Sequence, residues 1–231
     1  MTNQIMSLRD LAMMGVKTVI NKQGQGKIDW CDYSWNPISG CLQNCEYCYL
    51  KRMGLDMTPK FHTEKLKDLR VIKEPSKIFV GSSADCFGEW VKNEWIEDIL
   101  EVIKRYPEHT FQLLTKNPKR YLERDWTEYP NVWIGTTIDT QDRVKNLEYL
   151  KQAKANTKFI SFEPLLENLD VDLTGIDWII IGANSNAGAV RPMNCWASNL
   201  ITKAYNLAIP VWVKDNYKYS VRYKEFPEVR I

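Results

Sequence analysis

Five consecutive residues in the last third of the chain, Trp178-Ile179-Ile180-Ile181-Gly182, form an apolar run that ends in glycine. A run of this kind, without alternating polar residues, is typical of a strand that is buried on both faces. Such strands occur in parallel sheets, because the helices that connect parallel strands also cover them. The run therefore predicts a parallel sheet in an α/β protein.

Other short apolar segments alternate with segments of helical periodicity. We predict strands at residues 28–35, 78–81, 110–115, 132–137, 158–162, 178–182 and 211–213, and helices at 90–106, 140–155 and 196–208. This alternation indicates parallel strands joined by helical crossovers. Because a full eight-fold barrel typically needs about 250 residues, we predict that the 231-residue chain forms a partial, open, parallel (β/α)6–7 TIM-like barrel of the α/β class.

The predicted barrel domain spans residues 28–216. Residues 1–27 are predicted to be an N-terminal helical extension, because Leu8, Leu11, Val16 and Ile20 recur at helical spacing. Residues 217–231 are aromatic and basic without clear periodicity, and we treat them as a C-terminal tail.

Composition points to an ordinary globular protein, with 44% hydrophobic and 26% charged residues. No apolar run approaches the roughly 18 residues of a membrane span, and we recognise no secretion signal. Six cysteines, three of them clustered, indicate a reducing compartment and a metal site, so we expect a cytoplasmic protein. The net charge of +2 gives no support to nucleic-acid binding through a global basic field.

The three clustered cysteines are Cys41, Cys45 and Cys48, with the spacing C-x3-C-x2-C. Three thiolates can bind three irons of a four-iron cluster and leave the fourth iron open for a ligand. Two alternatives to an iron–sulfur cluster remain open at this point. The cysteines are inert, or they hold a structural zinc ion whose fourth ligand is Cys31, Cys86, Cys195 or His62. Otherwise His62 and His109 are expected to be surface or loop residues.

The cysteine spacing, with the aromatic Tyr47 directly before the third cysteine, resembles that of the radical S-adenosylmethionine (SAM) superfamily. The resemblance implies a [4Fe-4S] cluster on Cys41, Cys45 and Cys48 whose open iron binds SAM, with Tyr47 near the adenine. It also implies an external electron donor of the flavodoxin or ferredoxin kind. One electron would then cleave SAM to a 5′-deoxyadenosyl radical, which abstracts hydrogen from a substrate.

Further phrases, in order along residues 28–215, resemble a family of uncharacterised radical-SAM-like proteins of phages and prophages. They include Trp35-Asn36-Pro37, Phe61-His62, Ser83-Ala84-Asp85, Leu114-Thr115-Lys116-Asn117-Pro118, Phe162-Glu163-Pro164 and Arg191-Pro192-Met193. This resemblance implies a nucleotide or a nucleic acid as substrate. Members tend to carry Gly-Gly-Glu-Ser-Gly where this chain has Gly182-Ala183-Asn184-Ser185-Asn186, so an amide replaces a carboxylate.

Candidate site residues follow the predicted strands, because active sites of parallel barrels lie at the carboxyl ends of the strands. The candidates for binding the cofactor, besides Tyr47, are Ser82, Ser83, Asp85, Thr136, Thr137, Asp139, Gly182, Asn184 and Arg191. Helix capping is an equal alternative for the serines and aspartates. Thr136 and Thr137 are as readily explained as ordinary strand residues.

Three residues are candidates for catalysis: Glu163, Lys116 and Cys86. A carboxylate at a strand end is costly to bury alone, so Glu163 has a site role or a structural ion pair with Lys116, Arg191 or Lys214. Cys86 is a hydrogen-atom donor or a small buried residue. The competing function is a binding module, stabilised by zinc or a cluster, that performs no turnover and binds nucleic acid.

Overall fold

The computed structural model describes residues 20–24 and 26–228, which form a mixed α/β fold around an eight-stranded sheet. The strands are β1 (Asn21–Lys22), β2 (Tyr33–Trp35), β3 (Ile38–Ser39), β4 (Lys60–Phe61), β5 (Lys77–Val80), β6 (Thr110–Thr115), β7 (Val132–Thr137), β8 (Thr157–Phe162), β9 (Trp178–Ile181) and β10 (Val211–Val213). The α-helices are α1 (Tyr49–Arg52), α2 (Asn93–Lys104), α3 (Asn146–Gln152) and α4 (Asn194–Asn206). Shorter 3-10 segments cover Thr63–Val71, Pro118–Glu123, Trp126–Glu128, Gln141–Arg143 and Asp215–Tyr217.

The main sheet has the order β1-β2-β5-β6-β7-β8-β9-β10, and β3 pairs with β4 in a separate antiparallel ribbon. Strand β1 is antiparallel to β2, while every other neighbouring pair is parallel. The predicted parallel sheet is therefore confirmed, and it curls into a half-barrel. The helix predicted over 140–155 is interrupted, since only Asn146–Gln152 is α-helical.

Side chains alternate between the two faces of the strands and form two apolar clusters. On the outer face, strand residues such as Ile134 and Ile179 share one buried cluster with Ile99 of α2 and Leu200 of α4. Helix α2 contributes residues three and four apart, which is the spacing that places them on one side of a helix. The helices therefore cover the outer face, as the crossover pattern predicts.

The inner face is filled by aromatic rings towards the amino ends of the strands. Its cluster contains Trp30, Phe79, Trp133, Phe159 and Trp178. The Trp30 ring centroid lies 4.7 Å from that of Phe79, and the Trp178 centroid lies 5.6 Å from that of Phe159. Because this half of the interior is packed, space for a ligand is left at the carboxyl ends of the strands.

The segment after β10 packs on the sheet. Val213 N donates to Tyr223 O at 2.9 Å, and Glu225 N donates to Val211 O at 3.1 Å. The Phe226 ring centroid lies 4.7 Å from that of Trp212, and Lys224 Nζ lies 2.5 Å from Asp29 Oδ2, just before β2. The tail therefore extends one edge of the half-barrel and ties it to the other edge.

The predicted division at residues 27 and 216 stays a prediction. The helix predicted over residues 1–27 falls mostly outside the described residues, and within it Asn21–Lys22 form a strand on the main sheet. Among the described residues, no helix is long and apolar enough to cross a membrane.

We predict that Phe226→Ala lowers the free energy of unfolding by about 2–4 kcal/mol, because it empties space beside three tryptophan rings. Urea denaturation measures the effect. The matched control is Tyr205→Ala on α4, whose side chain is 82% exposed. Equal effects of the two substitutions would show that the tail does not stabilise the sheet.

His109 lies in a loop, as one of the two expectations has it, but this loop residue is buried. It is 1% exposed directly before β6, and its ring stacks on that of Tyr106 with a centroid distance of 6.0 Å. Neither ring nitrogen has a hydrogen-bond partner among the described residues. Burial lowers the pKa of His109, although Glu108 opposes this shift.

A lowered pKa in the folded state means that the unfolded chain binds the proton more readily. We therefore predict that stability is lost as the pH falls through the unfolded value of about 6.5. His109→Phe should reduce this loss, while His62→Gln should retain it. Urea unfolding at pH 5 and pH 7.5 measures the difference, and an unchanged pH dependence in His109→Phe would contradict the assignment.

Candidate functional site

A cavity of about 210 Å³ lies between the cysteine loop and the carboxyl ends of β5, β6 and β7. We call it the cysteine cavity. It contains all three clustered cysteines, as the sequence predicts for a shared site. Its lining residues are Cys41, Gln43, Cys45, Tyr47, Cys48, Tyr49, Leu50, Phe79, Gly81, Ser82, Ser83, Ala84, Asp85, Leu114, Thr115, Lys116 and Thr137.

The entry of the cysteine loop requires a glycine. Gly40 has a φ of +78°, and a Cβ atom there would lie 2.1 Å from Thr58 O. Asn44, in the middle of the loop, also has a positive φ of 54°, which asparagine tolerates better than most residues. Cys48 N then donates to Cys45 O at 3.2 Å, which closes a turn before α1. Local geometry thus turns the three cysteines towards one cavity.

Asp85 fastens this loop to the strand ends. Its Oδ1 accepts from Thr115 Oγ1 at 2.6 Å and from Phe87 N at 3.1 Å. Its Oδ2 accepts from Lys116 N at 2.9 Å and from Gln43 Nε2 at 3.0 Å. The carboxylate is 7% exposed and lines the cavity. With both oxygens engaged by the protein, Asp85 positions the site rather than offering free acceptors to a cofactor.

Ser82 and Ser83 line the same cavity and are held by an asparagine. Asn36 Oδ1 accepts from Ser82 Oγ at 3.1 Å and from Ser83 N at 2.9 Å. Gly81 precedes them with a φ of +85°, and a Cβ there would lie 2.5 Å from Cys86 Sγ. The loop therefore needs this glycine because Cys86 is packed directly behind it.

Cys86 is buried in the outer apolar cluster and does not line the cysteine cavity. Burial raises the pKa of its thiol, and the nearby Asp85 adds to this shift. Its surroundings match the small buried residue of the sequence analysis.

The thiols are partly buried and lie near a carboxylate. Burial raises the pKa of Cys41, and Asp85 and Cys45 contribute in the same direction. Metal binding requires the thiolate, so a bound cation would have to displace this proton.

Lys116 lines the cavity and its Nζ lies 5.5 Å from the centre of the Tyr47 ring.

The positions of the three thiols can be compared with what a zinc ion and a four-iron cluster each require. Within residues 20–24 and 26–228, no group of three His, Cys, Asp or Glu residues is placed to hold a metal ion. Zinc gathers its ligands around one point at about 2.0–2.3 Å, whereas the cysteines of a four-iron cluster bind different irons. Of the described residues that line the cavity, none is a suggested fourth zinc ligand (Cys31, Cys86, Cys195 or His62). Among the described residues, the three thiols therefore share one cavity without being gathered around a single point.

Tyr47 lines both the cysteine cavity and a second cavity of about 280 Å³. Its hydroxyl donates to Asp139, which is 3% exposed and lies 2.9 Å from Arg143 Nε. Burial and the Asp139 carboxylate raise the pKa of Tyr47 well above its ordinary value. Asn186 Nδ2 donates to Tyr47 O at 2.8 Å. Tyr47 is therefore fixed at both its backbone and its hydroxyl.

The second cavity is lined by the cysteine loop, α1 and the segments after β8 and β9. Its lining residues are Glu46, Tyr47, Arg52, Leu166, Asn184, Asn186, Ala187 and Ala189. Of the predicted cofactor residues, it contains Tyr47 and Asn184. Asn184 Oδ1 accepts from Asn186 N at 3.0 Å, so the amide also shapes its own loop.

Glu163 forms an ion pair with Lys214, one of the three partners that the sequence offers. Neither lines the cysteine cavity or the second cavity. A Cβ atom on Gly182 would lie 3.0 Å from both side chains, so this glycine makes room for the pair. Arg191 is exposed, and its Nη2 donates to Lys218 O at 3.1 Å.

The two threonines at the end of β7, Thr136 and Thr137, differ in their surroundings. Thr137 lines the cysteine cavity. Thr136 is fully buried, and its hydroxyl donates to Thr115 O at 2.9 Å. Thr136 therefore matches the reading as an ordinary strand residue, and Thr137 remains a candidate for contact with a ligand.

Sequence reasoning did not identify three amides that hold the site together: Asn36, Gln43 and Asn186. Each forms a hydrogen bond with a residue far away in sequence. The separations are 42 positions for Gln43, 46 for Asn36 and 139 for Asn186. No local spacing indicates such a partner. The position of Gln43 between two clustered cysteines is the one signal in the sequence that could have drawn attention to it.

We predict that Asp85→Asn lowers the free energy of unfolding by about 1–3 kcal/mol, because an amide nitrogen would face an N–H donor. Urea denaturation of the metal-free protein measures the change. Asp98→Asn, at an exposed position of α2, is the matched control. Equal stabilities of the two variants would show that Asp85 does not organise the loop.

Comparison with known proteins identifies one family for this fold and site. A family model described as a protein of unknown function, DUF5131, matches residues 25–225. No curated protein and no solved structure matches the chain. The matched range includes the cysteine loop, all strands from β2 to β10 and the segment that packs on β10. The chain therefore belongs to the DUF5131 family of proteins of unknown function.

Proposed function

We propose that this protein is a radical SAM enzyme that binds a [4Fe-4S] cluster on Cys41, Cys45 and Cys48. The observation that carries the proposal is that the three cysteines line one cavity at the carboxyl ends of parallel strands. Active sites of parallel barrels lie at this end. When bound, such a cluster supplies the electron that cleaves SAM into methionine and a 5′-deoxyadenosyl radical. Within this proposal the half-barrel is a partial (β/α)6–7 TIM-like barrel.

The two cavities beside Tyr47 would together hold SAM. Ligand sites commonly have volumes of about 300–1,000 Å³, and the cavities of about 210 and 280 Å³ reach that range when taken together. In the cysteine cavity, Lys116 offers a cation for the carboxylate of the amino acid part. In the second cavity, Leu166 and the Asn184 amide offer apolar and polar contacts for an adenine ring.

The proposal gives the protein's own residues distinct tasks. Asp85 holds the cysteine loop through Gln43, and Asp139 fixes the hydroxyl of Tyr47. Glu163 and Lys214 pair with each other after β8 and β10 and line neither cavity beside Tyr47, so the proposal gives Glu163 no catalytic task. Cys86 has no task here, because it does not line the cavity. Thr137 remains available for the ribose.

The proposal also includes partners and a place in the cell. An external one-electron donor of the flavodoxin or ferredoxin kind would reduce the cluster, and the substrate would be a nucleotide or a nucleic acid. The enzyme would work in the reducing cytoplasm, consistent with six free cysteines in this chain. The second candidate, a zinc-stabilised binding module without turnover, is separated by the same experiment.

We predict that protein purified and reconstituted without oxygen is brown and, after reduction with dithionite, shows a four-iron electron paramagnetic resonance signal that SAM changes. It should then form 5′-deoxyadenosine, and Cys45→Ala should abolish this product by removing one cluster ligand. The matched control is Cys195→Ala, since Cys195 is exposed on α4, away from the cavity. A colourless protein that contains zinc, or a cluster signal unaffected by SAM without cleavage, would overturn the proposal.

A further inference from the structure

A third cavity, of about 520 Å³, lies between the end of β10 and the tail. We call it the tail cleft. Its lining residues are Asp29, Trp212, Val213, Lys214, Asp215, Lys218, Tyr219, Ser220, Val221, Arg222 and Lys224. It reaches Lys214, the partner of Glu163, and is separate from the two cavities beside Tyr47.

The tail cleft is lined by more cationic side chains than carboxylates. Lys224 Nζ lies 2.5 Å from Asp29 Oδ2 and 2.9 Å from Asp215 Oδ1, so one lysine serves both carboxylates. Lys218 and Arg222 are exposed, and neither has a carboxylate within 4.0 Å in the described part of the chain. Lys224 and, more weakly, Arg222 lower the pKa of Asp215, so Arg222 shares this carboxylate at longer range. Lysine and arginine side chains that are not engaged in close ion pairs can bind phosphate groups.

Arg191 holds the loop that carries Lys218. Its Nη2 donates to Lys218 O at 3.1 Å. Arg191 itself lines neither the tail cleft nor the cavities beside Tyr47.

The cleft also presents aromatic surface. The Tyr219 ring is half-buried between Tyr217 and Tyr223, at centroid distances of 6.3 and 6.2 Å, and its hydroxyl is 2.7 Å from Ser198 Oγ. A ring held in this way is a rigid platform, and aromatic side chains stack on nucleic-acid bases at about 1–3 kcal/mol per base.

Two buried polar atoms of cleft residues lack partners. Asp29 Oδ1 and Trp212 Nε1 have no hydrogen-bond partner among the described residues, although Trp212 is 8% exposed. Buried polar groups are normally hydrogen-bonded. Both atoms belong to residues that line the cleft, so its wall contains an acceptor and a donor without protein partners among the described residues.

We propose that the tail cleft binds a mononucleotide, with its phosphate on Lys218 and Arg222 and its base against Tyr219. The volume suits one nucleotide. The low net charge of +2 gives no extended basic surface for a polymer. The contacts described above support the cleft as a nucleotide-binding site by themselves. The further step, that the bound nucleotide is the substrate, rests on the proposed function.

The test is isothermal titration calorimetry with uridine 5′-monophosphate, which lacks the adenine that the SAM cavities would accept. Lys218 has a φ of 57°, so Lys218→Asn keeps a residue that tolerates this backbone. We expect the double variant Lys218→Asn/Arg222→Gln to lose at least about tenfold in affinity, because it removes two charge-assisted contacts. Inorganic phosphate should compete with the nucleotide, and high salt should weaken binding.

The matched control is Lys67→Asn/Arg105→Gln, which removes the same charge from exposed positions outside the cleft. It should bind the nucleotide as the unmodified protein does. Tyr219→Leu should weaken binding of the nucleotide and leave that of phosphate unchanged.

Three results would overturn the inference: no binding of the nucleotide, equal losses in both double variants, or binding of a single-stranded oligonucleotide without binding of the mononucleotide. The SAM cleavage assay is read separately. Cleavage without nucleotide binding would contradict the cleft alone, and nucleotide binding without cleavage would contradict the enzyme proposal alone.

Discussion

A buried carboxylate is costly unless its oxygens are hydrogen-bonded, and Asp85 meets this condition with donors from three parts of the chain. Gln43 comes from the cysteine loop, Thr115 and Lys116 from the end of β6, and Phe87 from the turn after β5. None of these donors can leave without exposing the charge to an apolar surrounding. The relative placement of the cysteines and the strand ends therefore depends on this one group.

The interior of the half-barrel is divided along the strands. Aromatic rings fill the amino half, where Gly135 leaves space that the Phe159 ring occupies, 2.5 Å from where a Cβ would stand. Polar residues occupy the carboxyl half, where Gly182 makes room for the pair of Glu163 and Lys214. The packed amino half leaves the cavity beside the cysteine loop at the carboxyl ends of the strands.

A salt bridge joins the tail to the segment before β2. Lys224 joins the tail to Asp29, which precedes the first parallel strand, and its ammonium lies 4.8 Å from the centre of the Trp212 ring. The same tail forms one wall of the cleft to which we assign a nucleotide. The contact that attaches the tail to the segment before β2 therefore also forms part of the cleft wall.

Local signals in the sequence were sufficient to predict the sheet and the grouping of the cysteines. The strands predicted at 110–115, 132–137 and 211–213 have the same bounds in the structure, because apolar runs and strand periodicity are local signals. The C-x3-C-x2-C spacing is equally local, and a glycine with positive φ turns it into one loop.

The pairing of polar groups, in contrast, could be identified only in the folded chain. Glu163 had three possible partners, and the register of β8, β9 and β10 selects Lys214, 51 positions away. Gln43 and Asp85 meet for the same reason, and the tail binds the sheet edge although its sequence shows no periodicity. The physical reason is that burial follows from local hydrophobicity, whereas a hydrogen-bond partner follows from how strands far apart in sequence are aligned.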